Sequence, residues 1–411
     1  MKILVFMENN QYGGLDTFSS TLLNAWPDSD DHFVFICNAS HPGIHVLQTS
    51  IKRPCDFIAH ELPLSWVVSK QLFGWLPVTL RRASQPFIRI FLYVIQYHGL
   101  FNIFKKLDGD ALLVVNGGFP GGESCRIANI AWYKLMGSEF SARNIHNFHN
   151  FAVPPRFGFG IYENWIDRKL SKVTGNIISV SRTCADSLRD NRTTFQNSDA
   201  IGYIYNGIYP EVDCNNLFLN LRTHLDIGNK PLCLMLANYE SRKGHQFLFN
   251  AFANVARHIP EAHLVICGGG THEEKSEVES LRNAYAPHAN IHLLDFVPDG
   301  HCLIKQADLL LISSQYFESF GLTAVEAMIR SVPIVATRVG GLPEVVGELG
   351  EGGYLIDPHD ISSFASKIIE LIGDPHLRSE VGVHGRQRAK RLFTASRMAR
   401  QYRNILKKRL L

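Results

Sequence analysis

Short apolar runs, each closing on glycine or a polar loop and each followed by a helix-length segment, recur along this chain from its first residues to about Ile356. "KILVFM" leads into the loop "ENNQYGG" and a helical segment from about Asp16 to Trp26. "HFVFIC", "ALLVVNGG", "ARNIHNFHN" and "NIISVS" repeat the arrangement, the last followed by a helix from about Thr183 and then "AIGYIYNG". Runs this short and this apolar are strands buried on both faces. Alternated with helices, they predict a parallel sheet with crossover helices on each side. The pattern then restarts with "PLCLMLANY" and a helix over "SRKGHQFLFNAFANVARHI", where Phe247, Ala251, Phe252 and Val255 fall at helical spacing. "AHLVICGGG", "IHLLDFV", "HCLIKQA", "DLLLISS", "PIVAT" and "GGYLI" continue it. The expectation is two doubly wound α/β domains, 1–205 and 206–385, followed by a basic helix over 386–411 that returns to the first domain. A length of 411 residues accommodates two or three domains.

Composition narrows the function classes. At 45% hydrophobic and 19% charged, the chain has ample core and is not a disordered one. A net charge of +3 gives no argument for nucleic acid, and no nucleic-acid motif accompanies it. The eight cysteines are scattered and form no C-x-x-C pair, so no zinc knuckle or thioredoxin-like site is indicated. Several sit in apolar strand-like runs and read as core thiols, which fits a reducing, cytoplasmic setting. "MKILVFMENN" lacks the apolar length and cleavage site of a signal peptide. No charge-free apolar stretch of about 18 residues is present, so no spanning helix is expected.

One segment departs from the pattern. Leu62 to Leu107 contains no Asp or Glu, yet holds Lys70, Arg81, Arg82, Arg89, Lys105 and Lys106 among many aromatic residues. A basic, aromatic, amphipathic stretch suits peripheral contact with an anionic membrane; the alternative is a helical excursion packed on the first domain with solvated charges.

The chemistry concentrates in "SSQYFESFGLTAVEAMIRSVPIVAT". Glu318 and Glu326 stand eight residues apart in otherwise core-like sequence, with Ser319-Phe320-Gly321 where a helix should start. The first N–H groups of a helix lack internal partners and carry partial positive charge, which suits phosphate. Gly321 lets a ligand approach the backbone. A carboxylate beside such a start can accept sugar hydroxyls, and one two turns further on can take both hydroxyls of a ribose.

Glu318 and Glu326, with Phe320-Gly321 between them and "AMIRSVPIVATRVGGLPEVV" after, resemble the E-x7-E signature of retaining glycosyltransferases of family 4. "YGGLDTFSSTLLNAW", "NIISVS" with "YNGI", "ANYESRKGHQFLFNAF", "HLVICGGG", "ADLLLISS" and "FTASRMARQY" resemble that family's other segments in order. Residues 50 to 140 add nothing to the match. The resemblance implies the GT-B fold, two facing Rossmann-like domains with a C-terminal helix crossing back, the first binding acceptor and the second nucleotide sugar. It also implies roles. Glu326 would bind the donor ribose. Glu318 and the backbone of Ser319, Phe320, Gly321 and Leu322 would bind the donor sugar, with Thr323 near the phosphates. Gly13 and Gly14 would approach the diphosphate and sugar from the other domain, Asn206 would lie on the path to the join, and Arg242 and Lys243 would neutralise the diphosphate. His149 would face the donor sugar and acceptor; His146 shares its context, and the sequence does not separate the two. The family often has an arginine where this chain has Asn238 or Glu240, so Arg242 either substitutes for it or faces solvent.

The implied function is transfer of a hexose, with retention, from a UDP- or GDP-sugar to a saccharide or lipid-linked saccharide in surface polysaccharide, lipopolysaccharide or glycoconjugate assembly. It would need no metal and no cofactor beyond the donor, and would take place in the cytoplasm at the inner membrane face. The alternative is a catalytically degenerate GT-B protein that binds nucleotide sugar in support of another transferase. Asp108-Gly109-Asp110 looks like a metal-binding D-x-D but precedes a strand, and Gly268–Gly270 is a lone glycine turn; neither is assigned a role.

Overall fold

The computed structural model describes residues 1–407 apart from 157, 211–213, 215–218 and 349. By its internal contacts the chain divides into two units, one of Met1–Gly207 together with the segment from Ala395, the other of Ile208–Thr394.

The first unit is a seven-stranded parallel sheet of β1 (Lys2–Met7), β2 (His32–Asn38), β3 (Cys55–His60), β4 (Ala111–Asn116), β5 (Asn144–Phe148), β6 (Asn176–Ser179) and β7 (Ile201–Tyr203). Its strand order is β3-β2-β1-β4-β5-β6-β7, so the direction of winding reverses between β1 and β4. The crossovers are α1 (Gly14–Asn24), α2 (Ile44–Ser50), α3 (Ser65–Phe73), α4 (Val78–Leu107), α5 (Glu123–Met136), α6 (Gly160–Val173) and α7 (Arg182–Asn191). Alternation along β1 builds two cores. Ile3, Val5 and Met7 pack with Phe18 and Leu22 of α1, whereas Leu4 and Phe6 pack with Phe104 of α4 and Trp132 of α5.

The second unit has α8 (Leu221–His224), β8 (Leu232–Leu236), α9 (His245–His258), β9 (His263–Cys267), α10 (His272–Tyr285), β10 (Asn290–Leu294), β11 (Leu309–Ile312), α11 (Leu322–Ile329), β12 (Ile334–Thr337), α12 (Leu342–Val346), β13 (Gly353–Ile356), α13 (Ile361–Gly373) and α14 (Pro375–Leu392). Its six parallel strands run β10-β9-β8-β11-β12-β13, reversing between β8 and β11. In such sheets ligand crevices form beyond the carboxyl ends of the strands at the reversal.

Several expectations need correction. The division falls after Gly207, close to the expected boundary, but the return to the first unit begins at Ala395 rather than 386. Residue 386 lies inside α14, whose face carrying Val381, Gly382, Gly385 and Ala389 is buried, so that stretch is held in the second unit. The basic tail is therefore two helices. The second, α15 (Ala395–Leu406), buries Met398, Ala399, Tyr402 and Leu406 in the first unit's core, where Asn147 donates to the Tyr402 hydroxyl at 2.6 Å. Its basic residues Arg403 and Lys407 both pair with Asp28.

The cysteines are not all thiols. Cys214 and Cys302, 88 residues apart in sequence, form a disulfide with their Cα atoms 5.6 Å apart, and the other six are free. His301 stands beside them, but sulfurs bonded to each other offer no thiolate to a metal. "HCLIKQA" is not a strand but a 3-10 segment, Gly300–Gln306.

Finally, α4 runs for 30 residues, about 45 Å, and is long and apolar enough by composition to cross a membrane, contrary to the expectation that no such helix exists. Its charges lie toward its ends, leaving Ile90–Phe104 free of them. Leu92, Gln96, Leu100 and Phe104, every fourth residue, are buried against the unit, and Gln96 donates to the Pro63 carbonyl and to Glu123. The opposite face leaves Phe87, Ile90, Phe91, Val94 and Ile95 exposed.

Candidate active site

In the second unit the segments after β8 and after β11 are fastened side by side. Gly244 caps α9 at φ +75°, and a Cβ there would drive into the Ser313 carbonyl. Ser313 Oγ donates to the Lys243 carbonyl at 2.8 Å, and the Gln315 N–H donates to the Arg242 carbonyl at 3.0 Å. This backbone contact brings Lys243 Nζ to Glu318 Oε2, 2.7 Å away, with both side chains largely buried. Ser314 Oγ donates to the same oxygen at 3.2 Å.

Glu318 is also held by its backbone. The Gly341 N–H donates to its carbonyl at 2.7 Å, and Gly340, at φ +55°, lies so close that a Cβ would collide with the Glu318 main chain. Phe320 is buried against Phe393, with ring centroids 5.7 Å apart. Gly321 takes the left-handed conformation at φ +89° and opens α11. Leu322 and Thr323, half-buried, begin the helix, and the Ala324 N–H is the first to bond back to the Gly321 carbonyl. The N–H groups of the first turn are thus oriented as a helix start presents them.

Glu326 lies half-buried on α11. Among the described residues no side chain donates to its carboxyl; Arg330, one turn on, donates to its backbone carbonyl at 2.9 Å. Burial pushes the Glu326 pKa up to about 7, and the positive charge of Arg330 only partly offsets it. A carboxyl in that state has unused acceptor capacity.

Arg242 is not brought to this pair. Its Nε bonds Glu240 at 2.5 Å, its guanidinium lies 5.6 Å from the Phe317 ring centre, and Asn238 donates to Glu240 at 3.3 Å. Of the two positions where an arginine was sought, Glu240 instead pairs with Arg242, and Asn238 bonds Glu240.

In the first unit Gly13 and Gly14 enter α1 with open space where side chains would project. Asp16 fixes this turn. Its carboxylate accepts from the Gly13 N–H at 2.9 Å and meets His41 Nε2 at 2.6 Å in a buried pair. His149 follows β5, its N–H bonded to the Asn116 carbonyl and its ring edge-on to Phe18 of α1, centroids 4.2 Å apart. Its Nε2 is buried without a partner among the described residues, and burial pushes its pKa down to about 3. His146 differs. Asn129 Oδ1 lies 2.7 Å from its Nδ1 and Asn116 Nδ2 lies 3.3 Å from its Nε2, so both ring nitrogens are satisfied in the core. Asn206 is buried at the end of this unit, its Oδ1 unpartnered among the described residues. Asp108 and Asp110 sit at the amino end of β4, where Asp110 accepts from the Lys2 N–H.

The sequence reading missed a polar pocket of about 340 Å³ at the carboxyl ends of β1 and β4. Glu8, Asn9, Arg89 and Glu123 line it. Glu8 accepts from the backbone N–H groups of Glu123 and Ser124 and from Ser124 Oγ, capping α5. Burial, and then the charge of Glu123, push the Glu8 pKa up to about 7. Glu123 in turn accepts from Ser65 N and Gln96 and pairs with Arg89 at 3.1 Å. The only signal in sequence was an acid immediately after the first strand, at the reversal point of the sheet.

Residues 220–388 match the model of the glycosyl transferases group 1. The match lies within the second unit, in the part of the chain that carries the resemblance. Curated relatives match over similar lengths. The N-acetyl-alpha-D-glucosaminyl L-malate synthase of Bacillus anthracis is 29% identical over 205 residues, 49% of this chain and 52% of that protein. A D-inositol 3-phosphate glycosyltransferase of Corynebacterium efficiens is 36% identical over 146 residues, 34% of each chain. The chain thus spans about half or less of the length of these relatives. Over the whole chain the fold is shared with Anabaena HepE, solved in complex with UDP, with a TM-score of 0.72, 18% identity and 99% of both chains covered.

Proposed function

We propose that this protein is a retaining glycosyltransferase that moves a hexose from a UDP- or GDP-sugar to a hydroxyl of a saccharide or lipid-linked saccharide, in the assembly of a surface polysaccharide or glycoconjugate. The observation that carries the reading is the arrangement around α11. Lys243 and Glu318 meet beside the opening turn of the helix, and further along it Glu326 is half-buried with no side-chain donor among the described residues. The two hydroxyls of a ribose would supply the donors that Glu326 lacks. The names of the curated relatives support sugar transfer, and the UDP bound to Anabaena HepE supports a nucleotide donor.

In the transfer, the bond between the anomeric carbon and the phosphate oxygen breaks and its electron pair stays on the phosphate. The acceptor oxygen bonds to the same face of the carbon, and its proton passes to the departing phosphate oxygen. Charge grows on that phosphate, so Lys243 and the first N–H groups of α11 lower the barrier. Glu318 holds Lys243 in place and accepts from hydroxyls of the transferred sugar. His149, neutral because it is buried, is assigned a hydrogen bond toward the acceptor side. No carboxylate nucleophile, metal or further cofactor enters the scheme. The setting is the cytoplasmic face of a membrane, with residues 62–107 in contact with anionic lipid.

A thermal-unfolding screen with UDP, GDP, ADP and CDP tests the reading. A nucleotide at about a hundred times its dissociation constant adds roughly 2.7 kcal/mol, an easily measured shift. A shift with UDP or GDP that shrinks in Glu326→Ala is expected. A shift unchanged by Glu326→Ala contradicts the assignment, and binding without turnover of any sugar donor points to a degenerate binding protein.

A further inference from the structure

The first unit carries a second cavity, of about 840 Å³, between α4 and α6. This falls within the range of roughly 300–1,000 Å³ usual for small-ligand sites. Phe87, Ile90 and Val94 of α4 face Phe159, Ile161 and Trp165 across it. Phe87 is 76% and Ile161 92% exposed, so the walls are apolar surface left in water, which marks an interaction site rather than a core.

The outward charge on the two walls is of one sign. Between Leu62 and Leu107 there is no acid, and the segment 154–175 has only two, Glu163 and Asp167. Both point inward, where Glu163 pairs with Arg192, and Asp167 with Arg126 and Arg192, all four side chains buried. The charges left outside on the two elements are basic, among them Arg82, Arg168 and Lys169, the last lying 4.7 Å over the Trp165 ring. Arg89 joins this groove to the polar pocket at the carboxyl ends of β1 and β4. It lines that pocket, its Nε donates to Ser65 Oγ, it forms an ion pair with Glu123, and its guanidinium lies 5.8 Å from the centre of Phe159, which lines the groove.

We propose that the groove between α4 and α6 holds the hydrocarbon chain of a phosphate-bearing membrane lipid, with the phosphate at Arg89 and the head group in the polar pocket. Its occupant in turnover is the lipid-linked acceptor, so the proposal rests on the glycosyltransferase reading. An apolar trough with Arg89 and Lys169 against its walls and a polar pocket at its end suits a single-chain phosphate; a neutral apolar ligand would have no use for these cations.

The test is calorimetric titration of the full chain with farnesyl phosphate, farnesol and inorganic phosphate, below micelle-forming concentrations. Farnesyl phosphate is expected to bind, farnesol more weakly, and phosphate alone not measurably. Ile161→Glu and Ile90→Glu, at exposed positions that do not support the core, should each weaken farnesyl phosphate by at least about tenfold. Arg89→Gln should bring farnesyl phosphate down to the level of farnesol. Unchanged affinity in both glutamate variants overturns the proposal. So does a wild-type dimer in sedimentation that Ile161→Glu dissociates, since a second copy would then cover the groove. The nucleotide-induced thermal shift is read in the same variants. If it persists while farnesyl phosphate fails to bind, the lipid site falls and the transferase reading stands; if lipid binds with no nucleotide shift, the transferase reading falls and the groove remains.

Discussion

Replacing Glu326 by glutamine should make the protein more stable at alkaline pH and less able to bind nucleotide. The carboxyl's pKa is raised from 4.5 to about 7 by burial. The folded state therefore holds the proton more tightly than the unfolded chain does. The stability this confers is fully present below about pH 4.5 and is lost as pH rises through about 7, and at 1.36 kcal/mol per pH unit the loss by pH 8 is about 3 kcal/mol. Glutamine has the same shape but does not titrate, so the cost of burying its amide is the same at every pH. The measured quantity is the change with pH in the stability difference between variant and wild type. Taking that difference also cancels Glu8, which titrates in the same range. Urea unfolding at pH 5 and pH 8 should show the difference moving by about 2–3 kcal/mol in favour of Glu326→Gln. Nucleotide affinity should fall at least about tenfold in the same variant, a gain in stability set against function. Parallel stability curves for the two proteins from pH 5 to 8 would refute the reasoning, because Glu326 would then carry no buried charge.

Other expectations follow from the same geometry. Lys243→Met should lower turnover by about 10²–10³, the usual effect of removing a group that stabilises developing charge, with a smaller effect on folding; an unchanged rate contradicts its role. Gly340→Ala places a Cβ against the Glu318 main chain at φ +55° and should cost roughly 1–3 kcal/mol as well as activity, measured by melting and turnover together. His146→Ala leaves Asn116 and Asn129 short of a buried partner and should cost about 1–3 kcal/mol. His149→Ala should instead reduce turnover with a smaller stability loss, and the reverse pattern would exchange their roles.

The central strands were legible because burial on both faces leaves an unbroken apolar run, as in "KILVFM" and "ALLVVN". The edge strand β3, Cys55–His60, was not read as a strand. It is only partly buried, and "CDFIAH" shows neither a continuous apolar run nor a clean alternation. Glu318 and Glu326 stood out as carboxylates in core-like sequence beside a helix start. Their supports did not: Gly340 and Gly341 matter only because the chain returns across Glu318 some twenty residues later. Glu8 read as an ordinary loop acid, since its partners Glu123 and Ser124 are more than a hundred residues away. The Cys214–Cys302 bond was hidden for the same reason, as no spacing rule links cysteines 88 residues apart. The basic, aromatic character of 62–107 was plain, but the groove it forms with α6 was not, because Glu163 and Asp167 look like surface acids until Arg126 and Arg192 are seen to take them inward.

The most direct test of the central claim is to incubate the protein with the sugar donor of whichever nucleotide shifts its melting, with water as acceptor, and follow the anomeric proton by NMR. The account predicts release of the nucleoside diphosphate and a first-formed sugar with the donor's own anomeric configuration, both lost in Lys243→Met. Appearance of the opposite anomer, or nucleotide binding with no release of sugar, would contradict it.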